Sequence, residues 1–348
     1  MKPVNYLGLL LLPALVLAGF YLGGWYNFMV PAFCFFIHPA LNSMFSSWLP
    51  KTSLQVPSQY SRTAYRWVAL SFVPVVAGLT IVAIYIVSNY VLTTIEFTGF
   101  ALSVGVVNGV LGITLAHEFI HRFSLVEQVA GYSLLLLNNY MHYGIEHVWG
   151  HHVYACTAKD PHTARLNESL YSYLPRAIRT TYTNAWEIEE KRIKRNSTSL
   201  FKGRNRLILF AIFQLILMFV IFAAGGWKTL FFFLSQNMVA VLLLHIINYL
   251  QHYGLQRKQD ADGMFEKMNA HHSWDSCFQD RSLFIFQLEN HADHHLHPNR
   301  NYEQLTHLHD APEHPAGYSF MVLMTLFPPL WFRVMNRRLL SIQTNITA

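Results

Sequence analysis

The chain has 348 residues, of which 53% are hydrophobic and only 13% charged, where an average soluble domain carries about a quarter charged residues. Its formal net charge is +6 with histidine neutral. This balance excludes an ordinary soluble domain, and it leaves too little water-facing surface for a nucleic-acid-binding module; the basic excess points to one face of a membrane.

Six stretches are apolar for long enough to cross a bilayer, which takes about 20 residues. They lie near 5–24, 27–47, 66–89, 96–117, 206–225 and 229–250. The first is read as a span and not as a cleaved leader. Lys2 is the only basic residue ahead of it, no small-x-small site follows, and a second apolar stretch comes at once. The links 24–27 and 225–229 are short and contain glycine, so each flanking pair is expected to form a helical hairpin. The link 47–65 is polar, with Lys51, Pro57, Ser58 and Arg62. Two longer polar blocks, 118–205 and 251–348, complete what reads as one membrane-embedded domain over 1–348.

With the N-terminus inside, the outer side holds only the links near 25, 92 and 227. Lys228 is then the only one of the 25 lysines and arginines outside. That bias predicts cytoplasmic N- and C-termini and cytoplasmic polar blocks. Within the first block, Glu187, Glu189, Glu190, Lys191, Arg192, Lys194 and Arg195 read as a solvated mixed-charge helix. In the second, the apolar run 318–334 carries Pro328 and Pro329, which should break a clean span, so it reads as an interfacial or re-entrant helix.

The histidines carry the chemistry. HEFIH at 117–121 supplies His117 and His121, EHVWGHH at 146–152 supplies His147, His151 and His152, and HADHH at 291–295 supplies His291, His294 and His295. His252 stands alone in NYLQHYG. Imidazole suits iron, zinc and copper. On a helix, His117 and His121 share a face, and so do His147 and His151, with His152 about 100° further round. The positions 291, 294 and 295 repeat the pattern. A single ion takes about four to six ligands, so this many imidazoles imply two metals. The topology puts every cluster on the cytoplasmic side, where they can converge.

A ligating histidine usually donates its other ring N–H to a carboxylate or carbonyl. Glu118, Glu146, Asp160, Asn248 and Asp293 are the candidates by adjacency. His38 and His142 read as satisfied polar groups at the membrane edge. His245 lies inside the sixth span, and His162, His271, His272, His297, His307, His309 and His314 read as loop or outer residues. HExxH is also a zinc-protease signature, but that leaves the other clusters unexplained. A metal transporter would place its site near the bilayer midplane, and these clusters sit at one edge. Cys34, Cys156 and Cys277 are far apart and form no CxxC.

These motifs resemble the membrane-bound alkane 1-monooxygenase family, within the integral-membrane desaturase and hydroxylase superfamily, over most of 108–340. HEFIH is similar to the family's HELGH, EHVWGHH to its EHxxGHH, NYLQHYG to its HYG motif, and LENHADHHLHPNRNYEQL to its HSDHHxxP block. TAKDPHTAR and APEHPAGYSFM…LFPPLWFRVM also resemble family segments. Phe119, Ile120, Arg122, Asn290 and Ala292 depart from the family pattern. The hydroxylase component of xylene monooxygenase shares most of these motifs.

The resemblance implies an all-α integral membrane protein with six transmembrane helices and a cytoplasmic helical cap. It implies two iron ions held by His117, His121, His147, His151, His152, His252, His291, His294 and His295. It also implies O2-dependent hydroxylation of a terminal or benzylic carbon, with electrons from a separate rubredoxin or ferredoxin and its reductase, in a bacterial inner membrane. A fatty-acyl desaturase or an alkene-forming fatty acid decarboxylase is the alternative enzyme. An apolar substrate would enter from the membrane lipids, past Phe33, Phe35, Phe36, Trp67, Phe72, Phe97 and Phe100. The chain has no flavin or nicotinamide fingerprint. The basic residues Arg176, Arg179, Lys191, Arg192, Lys194, Arg195, Lys202 and Arg204 would face an acidic electron carrier.

Overall fold

The computed structural model describes residues 2–45, 61–195, 205–276 and 285–347. In chain order the helices are α1 (Pro3–Leu22), α2 (24–45), α3 (Arg62–Asn89), α4 (Thr94–Ile120), α5 (Leu125–Leu137), α6 (143–154), α7 (Leu170–Arg195), α8 (Arg206–His252), α9 (His291–Leu296), α10 (Tyr318–Thr325) and α11 (Pro328–Thr347). Among the described residues there is no β-strand, only two isolated bridges. Among the described residues, four helices are long and apolar enough to cross a membrane, namely α1, α3, α4 and α8.

The stretch expected as a second span, 27–47, begins earlier and is a composite. It runs through a 3-10 turn at Gly24–Phe28, a short α-helix, a π-helical turn at Phe33–Ile37 and a last α-helix ending at Phe45. Lys51, Pro57 and Ser58 lie outside the described residues, as do Lys202, Arg204 and Cys277. The block 118–205 does not open as a polar segment. Its first element is the apolar helix α5, with Leu125, Val126 and Val129 exposed next to Phe123.

The 47 residues of α8 contain both the fifth and sixth expected spans. Gly226 has φ +71°, a left-handed conformation open to glycine and costly for other residues. There the helix folds back on itself. Arg206 at its start bonds Glu189 in α7, His252 at its end lies beside His151 in α6, and its middle meets the far end of the molecule.

That far end collects the three short links. The N–H of Gly24 donates to Glu96 Oε1 (2.9 Å), Lys228 Nζ donates to the Tyr90 carbonyl (2.7 Å), and Ser88 and Thr229 hydroxyls bond at 3.3 Å. Glu96 also closes a capping box with Thr93, which satisfies first-turn donors of α4. From there α4 rises about 1.5 Å per residue, so His117 stands roughly 30 Å away at the opposite end.

α4 is the centre of the bundle. Of its most apolar stretch 78% is buried, against 33% for α1, 39% for α3 and 11% for α8. Its Phe100 and Leu111 share one core with Phe72, Val76, Leu134 and Phe232. A second core joins the end of α8 to α10 and α11, built on Trp274, Trp331, Tyr249, Tyr253 and Met321. Pro328 and Pro329 do break the run 318–334, but as the first residues of α11 and not inside a helix. Proline is pre-organised for a first turn, where its missing N–H is no loss.

Candidate metal centre

Three backbone features aim the histidines. α4 contains a π-helical turn at Asn108–Ile113, one turn before His117 and His121. α6 contains a second at His147–His151. α9 is a single short helix whose buried face carries His291, His294 and His295. A π turn bonds i to i+5, so His147 aligns with His152 and not with His151. This corrects the expectation that His147 and His151 share a face and an ion.

The nine rings form two groups. His117, His121, His147, His152 and His294 make one, and His151, His252, His291 and His295 the other. Within each group, one nitrogen per residue lies within 4.8 Å of all the rest. Only His152 is partly exposed.

The distances test whether metals fit. In the first group His121 Nε2 lies 3.1 Å from His147 Nε2, which lies 3.0 Å from His152 Nε2, which lies 3.1 Å from His294 Nε2. In the second, His291 and His295 bring Nε2 atoms to 3.0 Å. A ring nitrogen carries one hydrogen or one lone pair, so His147 and His152 cannot each bond two such neighbours well. A metal about 2.1 Å from each of two nitrogens at a right angle would hold them about 3.0 Å apart. The buried Nε2 atoms of His117, His151 and His252 have no hydrogen-bond partner. The residues present therefore fit two ions.

Electrostatics points the same way. Burial first, then crowding by neighbouring imidazoles, holds His147, His291, His294 and His295 well below the usual histidine range. His121 is likewise depressed, by burial and then by His117 and Arg122. Neutral imidazole is the ligating form.

Of the five expected outer partners, Asp160 reaches a ring of the two groups. Its carboxylate oxygens accept from His151 Nδ1–H (3.1 Å each), and it also accepts from the His162 N–H and the Thr163 hydroxyl. That fixes the His151 tautomer and turns Nε2 to its group. Burial alone would raise the Asp160 carboxyl; His151, His162 and Thr163 together outweigh it and hold the carboxyl low.

The other four act at one remove. Glu118 pairs with Arg122 (2.7 Å), and Arg122 donates to the carbonyls of Asn299 and Arg300, tying the end of α4 to the loop after α9. Asp293 binds His297, Arg300 and the Thr306 N–H, anchoring α9 from behind. Glu146 and Asn248 meet on His162, a residue read above as surplus. His162 Nε2–H donates to Glu146 (2.8 Å), and its Nδ1 accepts from the Asn248 amide (2.8 Å). Burial lowers the His162 imidazole, but Glu146 and Asp160 together more than compensate and raise it. Gly150 belongs to this arrangement: a Cβ there would stand 2.6 Å from Glu146 Oε1.

Two partners had no signal in the spacing. The His272 carbonyl accepts from His252 Nδ1–H (3.1 Å), and the Cys156 thiol donates to the same oxygen (2.9 Å). His245 bonds the Tyr140 hydroxyl (2.7 Å) and stacks on His162, outside both groups.

A cavity of about 100 Å³ opens beside the rings, bounded by α2, α4, α8, α9 and α10. Val110, Leu243, Ile247 and Val322 are among its apolar walls, and it touches His117 of one group and His291 of the other. Of the aromatics expected along an entry route, Phe35 lines it. Phe72 and Phe100 are buried in the bundle core, Phe33 and Phe97 pack against it, and Phe36 and Trp67 face outward.

The expected basic face is largely neutralised. Arg176 pairs with Glu168, Lys191 with Glu187, Arg192 with Glu189 and Lys194 with Glu190.

Comparison with known proteins agrees with this geometry. Residues 93–322 match the fatty acid desaturase family. Alkane 1-monooxygenase 2 of Pseudomonas aeruginosa is 38% identical over 82% of this chain and 76% of its own length. Alkane 1-monooxygenase 1 of the same organism is 40% identical over 82% and 75%. The xylene/toluene monooxygenase hydroxylase component of Pseudomonas putida is 25% identical over 97% and 89%. With the histidine groups, the apolar helices and relatives at this identity over most of the chain, the protein belongs to the alkane 1-monooxygenase family of the fatty acid desaturase group.

Proposed function

We propose that the protein hydroxylates the terminal carbon of alkanes, using O2 and two irons held by the nine histidines. The observation that carries this reading is an apolar cavity that touches a histidine from each group. Bound iron would supply the oxidising power to activate O2 and break an unactivated C–H bond, which no side chain can do. The chain does the rest. Val110, Leu243 and Ile247 hold an alkyl chain and exclude water, and His117 and His291 mark where its end must stop. Asp160 and the His272 carbonyl keep His151 and His252 in the ligating tautomer. A mostly apolar pocket separates neighbouring chain lengths poorly, so a range of alkanes is expected. Methyl groups on aromatic rings are a secondary substrate class, favoured by the full-length likeness to the xylene/toluene enzyme.

The reading includes six membrane passes: α1, α2, α3, α4 and the two arms of α8. The termini and the metal centre face the cytoplasm across a bacterial inner membrane, and the chain is one domain. The shared position of the three short links supports this topology. Electrons come from a separate rubredoxin or ferredoxin with its reductase.

The test is expression with a rubredoxin system and feeding of octane, hexadecane and xylene. Primary alcohols are expected, and they are lost in His294→Ala. Alkenes without alcohols would transfer the chain to the desaturase or decarboxylase reading.

A further inference from the structure

One wall of the cavity is not apolar. Gln251, the residue before His252, is fully buried and lines the cavity. Its amide nitrogen is occupied, donating to the Tyr318 hydroxyl (3.1 Å) and the Leu288 carbonyl (3.4 Å). Its carbonyl oxygen is buried and has no partner. The Leu288 carbonyl fixes this orientation, because exchanging the amide atoms would set two oxygens against each other. Tyr318 also lines the cavity, and its hydroxyl already accepts from Gln251, so its own proton is left to donate. Of the other polar walls, the Thr114 hydroxyl bonds the Gly109 carbonyl, and the Asn248 amide bonds His162. Gln251 and Tyr318 thus offer the cavity a free acceptor and a free donor side by side, next to the histidine groups.

We infer that Gln251 and Tyr318 form a binding subsite for the hydroxyl of a primary alcohol. The alcohol O–H donates to Gln251 Oε1, its oxygen accepts from the Tyr318 O–H, and its alkyl chain takes the apolar walls. An alkane has nothing to offer these atoms, and an ether has no proton for Gln251. The inference rests on the preceding reading in one respect: there, the alcohol is the product. The subsite then retains the product beside the metals, where it competes with the next alkane.

The isomers 1-octanol and 1-methoxyheptane separate hydroxyl recognition from chain burial. The full-length protein in lipid nanodiscs is titrated with each at equal bilayer loading, and binding is read from the rise in thermal-unfolding midpoint. The wild type is expected to half-saturate at roughly five- to tenfold less alcohol than ether, the worth of the one hydrogen bond that the ether cannot make. Gln251→Leu should bring that ratio close to one, whereas Tyr318→Phe should weaken both isomers, since either oxygen can accept from the phenol. Equal binding of the isomers by the wild type would overturn the subsite, as would a ratio that survives in Gln251→Leu or binding of both isomers that is unchanged in Tyr318→Phe. Conversion of octane to 1-octanol is measured separately on the wild type. Alcohol formed without isomer discrimination leaves the hydroxylase reading and removes the subsite; discrimination without alcohol formation does the reverse.

Discussion

The two histidine groups are built differently. The five-membered group draws on α4, α6 and α9, and its nitrogens sit in a nearly continuous chain of 3.0–3.1 Å contacts. The four-membered group has fewer rings, but His151 and His252 are each locked from behind, by Asp160 and by the His272 carbonyl. One group is defined by the number of rings, the other by the bracing of individual rings. The five-ring group should therefore tolerate the loss of a ring better, while the four-ring group should be sensitive both to its ligands and to what stands behind them.

Removing a ring from each group is the most severe test. His295→Ala should lower metal content from about two to about one per chain and reduce alcohol formation by more than the roughly 10–100-fold that loss of an outer partner costs. His121→Ala should keep the metal content nearer two. Metal analysis of the purified variants checks this, and the opposite ranking would reverse the comparison.

Asp160→Asn probes the bracing alone. It should weaken one of the two metal sites by roughly 10–100-fold and leave the other unchanged. A competition titration with a chelator should then resolve two affinities where the wild type shows one or a close pair. Equal weakening of both sites would mean that the groups act as one unit.

His162→Phe asks whether the brace around α6 serves stability or ligation. It leaves Glu146 and the Asn248 amide without their buried partner, a loss of about 1–3 kcal/mol. We expect a lower unfolding midpoint with metal content still about two. Loss of metal would move His162 into the four-ring group's own support.

The mildest test uses a histidine outside both groups. His314 stacks on Trp274 of the second core with neither ring nitrogen bonded, and burial, followed by Arg338, pushes it down to about 3. The unfolded chain takes up this proton near the ordinary value of about 6.5, so the folded state loses stability as pH falls from there towards 3. His314→Phe should outlast the wild type in that window, match it at pH 8 and keep both metals. Thermal melts at a series of pH values check the sign.

Much of the centre was legible in the chain because imidazoles at helical spacing have few other reasons to cluster. What the spacing concealed was the partition. Residues 147 and 151 read as one α-helical face with 152 about 100° further round, and the π turn instead puts 147 with 152 and leaves 151 to the other group. Adjacency singled out Asp160 and Asp293 alike, yet only loop geometry decides that the first meets a ring and the second holds a loop. His162 read only as a loop or outer residue, because the two partners that make it a brace lie 16 and 86 residues away. The four long apolar helices were plain from hydropathy, but α5 is too short for that signal, and an aromatic residue in such a helix does not say whether it faces outward, core or cavity.

The wound-out turns at Asn108–Ile113 and His147–His151 bear on how such a site can be changed. Each adds a residue to its helix without moving the ends, so everything beyond it is rotated by about 100° relative to a regular helix. No side-chain replacement restores that phase. Deleting one residue from either turn should swing the following imidazoles off target as surely as mutating them, and grafting the same motifs onto straight helices would point half the rings the wrong way. Any transplant of this centre to another scaffold has to carry its irregular turns along with its histidines.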